Sequence, residues 1–313
     1  MTLACGIDVG GTKVAGGVVD ADGVILEELR VESPAEDVEA MGEAIASLVT
    51  ELASRHRIET VGVGAAGYVD RNRAMVLFAP NLAWRRFDLK ADLEARVDLP
   101  VVIENDANAA AWGEFRFGAG EDVDDLLLVT VGTGVGGGVV LDGELHRGAF
   151  GVGAEIGHMR VVPDGILCGC GNHGCFEQYA SGSALVREAR NAAGSGSPRA
   201  RDLVERAGGD ATAITGPLIT EAARDGDGFA LEQLAELGRW LGEGIASLTA
   251  ILDPAVVVIG GGVSEAEDLL LDPIRAAFLA QLAGRGHRPV LEIRKAELGN
   301  RAGLIGAADL ARR

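Results

Sequence analysis

Three of the four cysteines, Cys168, Cys170 and Cys175, fall inside the stretch CGCGNHGCFEQ at 168–178, and His158 precedes them in EIGH. The spacing is H-x9-C-x-C-x4-C. Three thiolates and one imidazole make a closed tetrahedral zinc site of the structural kind, with no position open to water. Gly169, Gly171 and Gly174 would let the loop fold around a small ion. C-x-C is not the C-x-x-C of redox proteins. Reduced cysteines without metal are the alternative, and His173 is a rival ligand inside the loop. Cys5 reads as a small buried residue. Glu155 lies three residues before His158, and Glu177 two after Cys175. A metal-pinned loop would aim both carboxylates at one place, which suits a polyhydroxylated ligand. Solvated surface charge is the plainer reading of both.

A second group of residues offers phosphate chemistry. DVGGTK at 8–13 delivers Asp8 from a strand into a turn of Gly10, Gly11, Thr12 and Lys13. Consecutive N–H groups in such a turn form an anion site, and Asp8 at its edge could hold Mg²⁺ through water. A plain hairpin is the alternative. VGTGVGGG at 131–138 supplies a second turn with Thr133 and Gly134, and IGGGVS at 259–264 a third with Gly261 and Gly262. The second matches G-x-G-x-x-G only formally, because a strand and not a helix follows. A Walker-type loop is absent. Three such turns after three buried strands point to a nucleotide, two on its phosphates and one near its adenosine. In VVIENDAN, Asn105 and Asp106 stand where a strand meets a helix. They read either as a helix cap or as the site of a general base, since phosphoryl transfer to an alcohol needs a carboxylate within reach of the attacking hydroxyl. Asn105, with Asn81 in PNLAW, suits the orienting of that hydroxyl.

These residues need elements to position them. The pattern predicts strands at 3–9, 14–19 and 24–31, with hairpin turns GGTK and DADG. An amphipathic helix follows at 36–56, with Val38, Met41, Ile45, Leu48 and Leu52 on one face. Strands at 60–65 and 99–103 and an alanine-rich helix to about 117 complete the first half. A second round begins at 125 with LLLVTV and a strand pair joined at Asp142–Gly143. Helices are predicted at 180–193, 199–207, 215–225, 229–252 and from about 264, a strand at 289–294, and a closing helix at 301–312. This is an α/β protein of two lobes with a cleft between them: a smaller lobe over 1–117, to which the closing helix 301–313 returns, and a larger one over 118–300. The glycines, 46 in 313 residues, cluster directly after apolar runs, which suggests turns at strand ends.

A net charge of −19 disfavours nucleic acid and anionic membrane as partners. No apolar run is long enough to span a bilayer, and the start MTLACGIDVGG has no signal-peptide pattern. The expected compartment is the cytoplasm, where thiols stay reduced and a disulfide framework is the weaker reading.

Taken together, DVGGTK at 8–13, ENDAN at 104–108, LVTVGTGVGGGVVLDGELHRGAFGVGAEIGH at 128–158 and CGCGNHGCFE at 168–177 resemble the ROK family of sugar kinases and sugar-responsive repressors, over essentially the whole chain. The resemblance is strongest to its bacterial glucokinases. It implies a two-lobed actin-like, ribonuclease-H-like fold closing over ATP and sugar. It implies Asp106 as the base acting on the sugar's 6-hydroxyl, and Gly67, Asn81, Asn105, Asp106, Glu155, His158 and Glu177 at the sugar. It places Asp8, Gly10, Gly11, Thr12, Lys13, Thr133 and Gly134 at the phosphates with Mg²⁺, and Gly261 and Gly262 near the adenosine. His158, Cys168, Cys170 and Cys175 carry over as zinc ligands, and a homodimer or homotetramer is implied. Repressor members carry an N-terminal helix-turn-helix, which is not expected in a chain whose first strand starts at Leu3. The expectation is ATP-dependent phosphorylation of glucose. Its competitors are another hexose or amino sugar such as fructose or N-acetylmannosamine, polyphosphate as donor, a sugar sensor without turnover, and a NAD-binding enzyme.

Overall fold

The computed structural model describes residues 2–313. The first strands are β1 (Leu3–Val9), β2 (Lys13–Val19) and β3 (Ile25–Glu32), followed by α1 (Val38–Ala53) and β4 (Ile58–Ala65). Then come β5 (Tyr68–Val69), β6 (Met75–Phe78), β7 (Arg85–Asp88), α2 (Leu89–Val97), β8 (Val101–Asn105) and α3 (Asp106–Phe117). The chain continues through β9 (Leu126–Val131), β10 (Val135–Leu141), β11 (Glu144–Leu145), α4 (Glu177–Ala180), α5 (Gly182–Gly194), α6 (Arg201–Arg206) and α7 (Gly216–Arg224). It ends with α8 (Gly228–Leu252), β12 (Val256–Gly260), α9 (Asp268–Gln281), β13 (Glu292–Lys295) and α10 (Ala302–Ala311).

The strands form two five-stranded sheets, β3-β2-β1-β4-β8 and β11-β10-β9-β12-β13, and a small sheet β5-β6-β7. Two compact units result. One holds residues up to 128 with 137–155 and 296–313; the other holds 129–136 and 156–295. In the first unit β1 is antiparallel to β2 and parallel to β4, and β4 is parallel to β8. This register sets Asp8 opposite Gly64, Gly64 opposite Glu104, and Ala65 opposite Asn105, so the chemistry-bearing ends of β1 and β8 lie at one sheet edge. The core below them joins Ile7, Val9, Met41, Ile45, Leu48, Leu52, Val63, Trp84 and Ile103, with the α1 face at the helical spacing read from the sequence. In the second unit α8 buries Leu234, Leu237, Leu241 and Ile245, and α9 buries Leu270, Ile274 and Phe278.

Many glycines serve close approach rather than turns. A Cβ at Gly6 or Gly62, inside strands, would overlap the backbone of Leu304 or Ala307 in α10. A Cβ at Gly306 would overlap Ala109 O in α3, and one at Gly113 would overlap Ala302 O. The closing helix therefore lies backbone to backbone on the sheet and on α3. None of Gly10, Gly11, Gly132 or Gly134 has a φ between +20° and +160°. The small sheet was not legible in the pattern, because strands of two to four residues carry too few alternations to show a period, and α2 was not, because it buries only Leu89 and Leu93. After IGGG the chain forms a 3-10 turn over Gly262–Ala266, and the α-helix waits until Asp268. The last strand starts at Glu292, later than predicted, beyond Pro289, which has no N–H to donate.

Candidate active site and metal centre

The first unit brings the candidate base to the N-terminus of α3. Asn105, and not Asp106, is the cap: its side-chain oxygen accepts from Asn108 N at 2.9 Å. The cap reading of the pair thus falls to Asn105, and Asp106 stands at the first helical position. The Asn105 amide donates to Gly67 O and to Asp106 Oδ1, each at 3.1 Å. It thereby fixes the base and the end of the AAGYVD segment together. Burial pushes the Asp106 carboxyl up to about 6, although hydrogen bonds from backbone N–H groups and the Asn105 amide pull the other way. Asp8 is raised to about 7, first by burial and then by the charge of Asp106. The two carboxylates are therefore close enough to feel each other. Gly303 of α10 lies beside both, a Cβ there being 3.5 Å from Asp8 Oδ1 and 3.9 Å from Asp106 O.

The turn after β1 closes through Gly10 N to Lys13 O at 3.0 Å. Gly11 packs on Asn81, with 3.7 Å from a built Cβ to the Asn81 Cβ. Three more residues of this unit, Glu104, Arg147 and Arg73, escaped the sequence reading. Glu104 is buried directly before Asn105 and accepts from Arg147 Nε at 2.7 Å. Arg73 Nε lies 3.6 Å from the same carboxylate. A charged residue inside the apolar run VVIEN was the available signal.

The second unit assembles the metal centre. One ligand atom from each of His158, Cys168, Cys170 and Cys175 lies within 4.8 Å of the others. Cys170 Sγ and Cys175 Sγ are 3.6 Å apart, and Cys168 Sγ is 3.7 Å from His158 Nδ1. With Zn–S of about 2.3 Å and Zn–N of about 2.0 Å, tetrahedral ligand atoms stand roughly 3.5–3.8 Å apart. The set fits zinc and is too open for a disulfide, whose sulfurs lie about 2.05 Å apart. His173 is turned away, its Nδ1 at 2.9 Å from Gly165 O, and does not join the cluster. The loop closes by Cys168 N to Asn172 O at 2.8 Å and Gly171 N to Cys168 O at 2.9 Å. Gly171 has φ +91°, and a Cβ at Gly174 would overlap Val162 O. Gly169 has neither constraint, with nothing within 4 Å.

The metal loop and the turn at 131–134 meet at Glu177. Its Oε1 accepts from Cys168 Sγ at 3.0 Å and lies 3.8 Å from His158 Nδ1. A Cβ at Gly134 would stand 2.6 Å from Glu177 Oε2, so glycine at 134 admits the carboxylate. Because the metal side of His158 is Nδ1, its Nε2 is left for another partner. Beside this turn lies a cavity of about 950 Å³ lined by Gly132, Thr133, Gly262 and Val263. Leu185, Val186 and Pro217 give it apolar walls, and Arg187 and Arg190 add charge. Gly182 N donates to Gly132 O at 2.8 Å, which joins the start of α5 to the turn. Gly261, at φ +82°, sits against Val131 O behind the lining. The contributions of α5 and α7 were not foreseen; both starts carry small residues, Gly182–Ser183 and Gly216–Pro217, which was the signal.

The chain is 52% identical over 312 residues to a glucokinase of Streptomyces coelicolor, covering 100% of this chain and 98% of the relative. A ROK family glucokinase from Streptomyces griseus, solved in complex with glucose and AMPPNP, superposes with a TM-score of 0.92 at 52% identity and 99% coverage of both chains. An N-acetylmannosamine kinase of Escherichia fergusonii is 37% identical over 99% of this chain and 98% of its own. The mixed α/β fold is that of the ROK sugar kinases. With the ROK family model matching residues 4–313, the chain belongs to the ROK family.

Proposed function

We propose that this protein is a glucokinase that transfers the γ-phosphoryl group of ATP to the 6-hydroxyl of glucose. The observation that carries the reading is the full-length identity of 52% to a glucokinase, in a chain whose Asp106 carboxylate is held at a helix start without serving as its cap. In the proposed step Asp106 accepts the proton of the sugar 6-hydroxyl. O6 bonds to the γ-phosphorus as the bond to the β–γ bridging oxygen breaks, and ADP leaves. A base with a value near 6 is ionised at neutral pH and still basic enough to take that proton. Asn105, fixed between Gly67 and Asp106, orients the acceptor.

Asn81, Glu155, His158 and Glu177 are the further sugar contacts in this reading. The turns at Gly10–Lys13 and Thr133–Gly134 receive the phosphates, and Asp8 is the residue that would hold Mg²⁺. Mg²⁺ neutralises the charge on the transferring phosphoryl group when bound. The cavity at Gly132, Val186, Pro217 and Gly262 takes the adenosine. Its apolar walls favour a nucleotide over polyphosphate as donor. His158, Cys168, Cys170 and Cys175 would hold a structural zinc, which would fix the loop between His158 and Glu177 and take no part in the transfer. A zinc site of thiolates suits a reducing compartment, which supports the cytoplasm as the expected location, and we expect a homodimer or homotetramer in solution.

A coupled assay crossing a panel of hexoses and N-acetylmannosamine with ATP and polyphosphate tests the reading. Glucose with ATP should give the highest kcat/KM. A preference for another sugar would replace the substrate, and turnover with polyphosphate alone would replace the donor. Asp106→Asn should keep glucose binding and lower kcat by about 10²–10⁴-fold; near-normal turnover would remove Asp106 from the step.

A further inference from the structure

We propose that the buried pair Glu104–Arg147 is a positioning device for the sugar acceptor, tying the loop that ends in Glu155 to the helix start that carries Asn105 and Asp106. The proposal rests on the glucokinase reading, in which those three residues meet glucose.

Glu104 is 3% exposed and its carboxylate is shared among several donors. Oε2 accepts from Arg147 Nε at 2.7 Å. Oε1 accepts from Asn105 N and from Asn108 Nδ2, each at 3.2 Å. One oxygen therefore holds the cap residue and the first turn of α3, while the other holds Arg147. Arg73 adds a second guanidinium, with Nε at 3.6 Å, but its Nη2 is spent on Leu310 O at 2.9 Å. Arg147 makes the direct bond.

From Arg147 the chain runs through RGAFGVGAE to Glu155. Gly151 packs this loop against the backbone of Val69–Arg71, where a Cβ would stand 2.5 Å from Arg71 N. Phe150 is 78% exposed, and positions 148, 151 and 153 are glycines. Gly153 N donates to Arg147 O at 2.9 Å, closing the loop at its neck. Ala154, the residue before Glu155, has φ +65°. A left-handed alanine is strained and persists where its surroundings over-determine it. A charge-assisted bond from the neck of the loop to a buried carboxylate is such a constraint. Both ends of the device bear on the acceptor: Asn105 and Asp106 follow Glu104 directly, and Glu155 ends the loop that Arg147 begins. None of its residues is among those that line the cavity assigned to adenosine. Loosening the pair should therefore cost sugar affinity and spare nucleotide affinity.

The test uses full-length, zinc-loaded enzyme with Glu104→Gln, Arg147→Met, Arg147→Lys and the double variant Glu104→Gln/Arg147→Met. Steady-state KM values for glucose and ATP are measured, with glucose affinity by calorimetry without nucleotide and Tm for each. Arg147→Met should raise glucose KM and Kd at least about tenfold, as for loss of a buried charge-assisted bond, and change ATP KM less than about twofold. Arg147→Lys should recover part of the loss. The double variant should be no worse than the poorer single, because both remove one interaction. Should Arg147→Met fail to fold, Glu104→Gln carries the same comparison. Unchanged glucose affinity in a folded variant overturns the proposal. So does a parallel fall in both affinities and Tm, which would mark a merely structural role. A wild-type enzyme inert toward glucose overturns the reading beneath it, and the proposal with it.

Discussion

Asp8 and Asp106 show how burial sets chemistry at single residues. Both carboxyls are raised, to about 7 and about 6, chiefly because the charged form is poorly solvated. Two consequences have definite signs. A base must be ionised to accept a proton, so kcat/KM for glucose should fall as pH drops through about 6, approaching tenfold per pH unit on the acid side. A pH profile that is flat down to pH 5 would be inconsistent with Asp106 as the base. For stability, a carboxyl raised in the folded state favours folding below its unfolded value and loses that contribution as pH rises through the folded one. For Asp8 this window runs from the ordinary carboxylate range to about 7. Asp8→Asn in nucleotide-free, Mg²⁺-free protein should therefore gain more Tm relative to wild type at pH 8 than at pH 5. Thermal scans at the two pH values check it, and an equal shift at both would contradict the assignment.

Elements turn such residues into sites, and the zinc loop shows which backbone features do so. Gly174 admits the chain beside Val162 O, and Gly171 supplies a left-handed turn between Cys170 and Asn172. Gly169 has open space and an ordinary φ. Gly174→Ala should therefore lose zinc and lower Tm, while Gly169→Ala should retain about one zinc per chain and wild-type Tm. Elemental analysis with thermal scans separates the two; equal zinc in both would show that the loop tolerates a displaced turn. The sequence suggested that all three glycines serve the loop, because glycine type alone does not reveal which positions are sterically required. The same limit applied at ENDAN. Strand-to-helix chemistry was visible, but the division of labour between Asn105 as cap and Asp106 at the first helical position depends on side-chain direction.

Across the whole molecule, the metal and the first sheet belong to separate compact units. Chelation should act locally. Hydrogen exchange should rise over 156–180, where the backbone is held by isolated bridges such as Arg160 to Cys175, and stay low in β1, β2 and β4, which are paired along their lengths. Exchange that rises equally in both regions after zinc removal would show one cooperative block.

Legible in the sequence alone were the three clustered cysteines with two candidate histidines, the three glycine turns, the strand that ends at Asn105 and the order of most elements, because these are written in residue type and short spacing. The family followed from the motifs those residues form. Tertiary structure decided what depends on residues far apart in the chain. Leu304 and Ala307 meet Gly6 and Gly62 only when α10 is laid on the sheet. Leu185, Val186 and Pro217 become cavity walls only when α5 and α7 converge on the turn at Gly132. Glu104 finds Arg147 across 43 residues. Periodicity reports which face of an element is apolar, but partner choice is set by packing, and packing is a property of the folded chain.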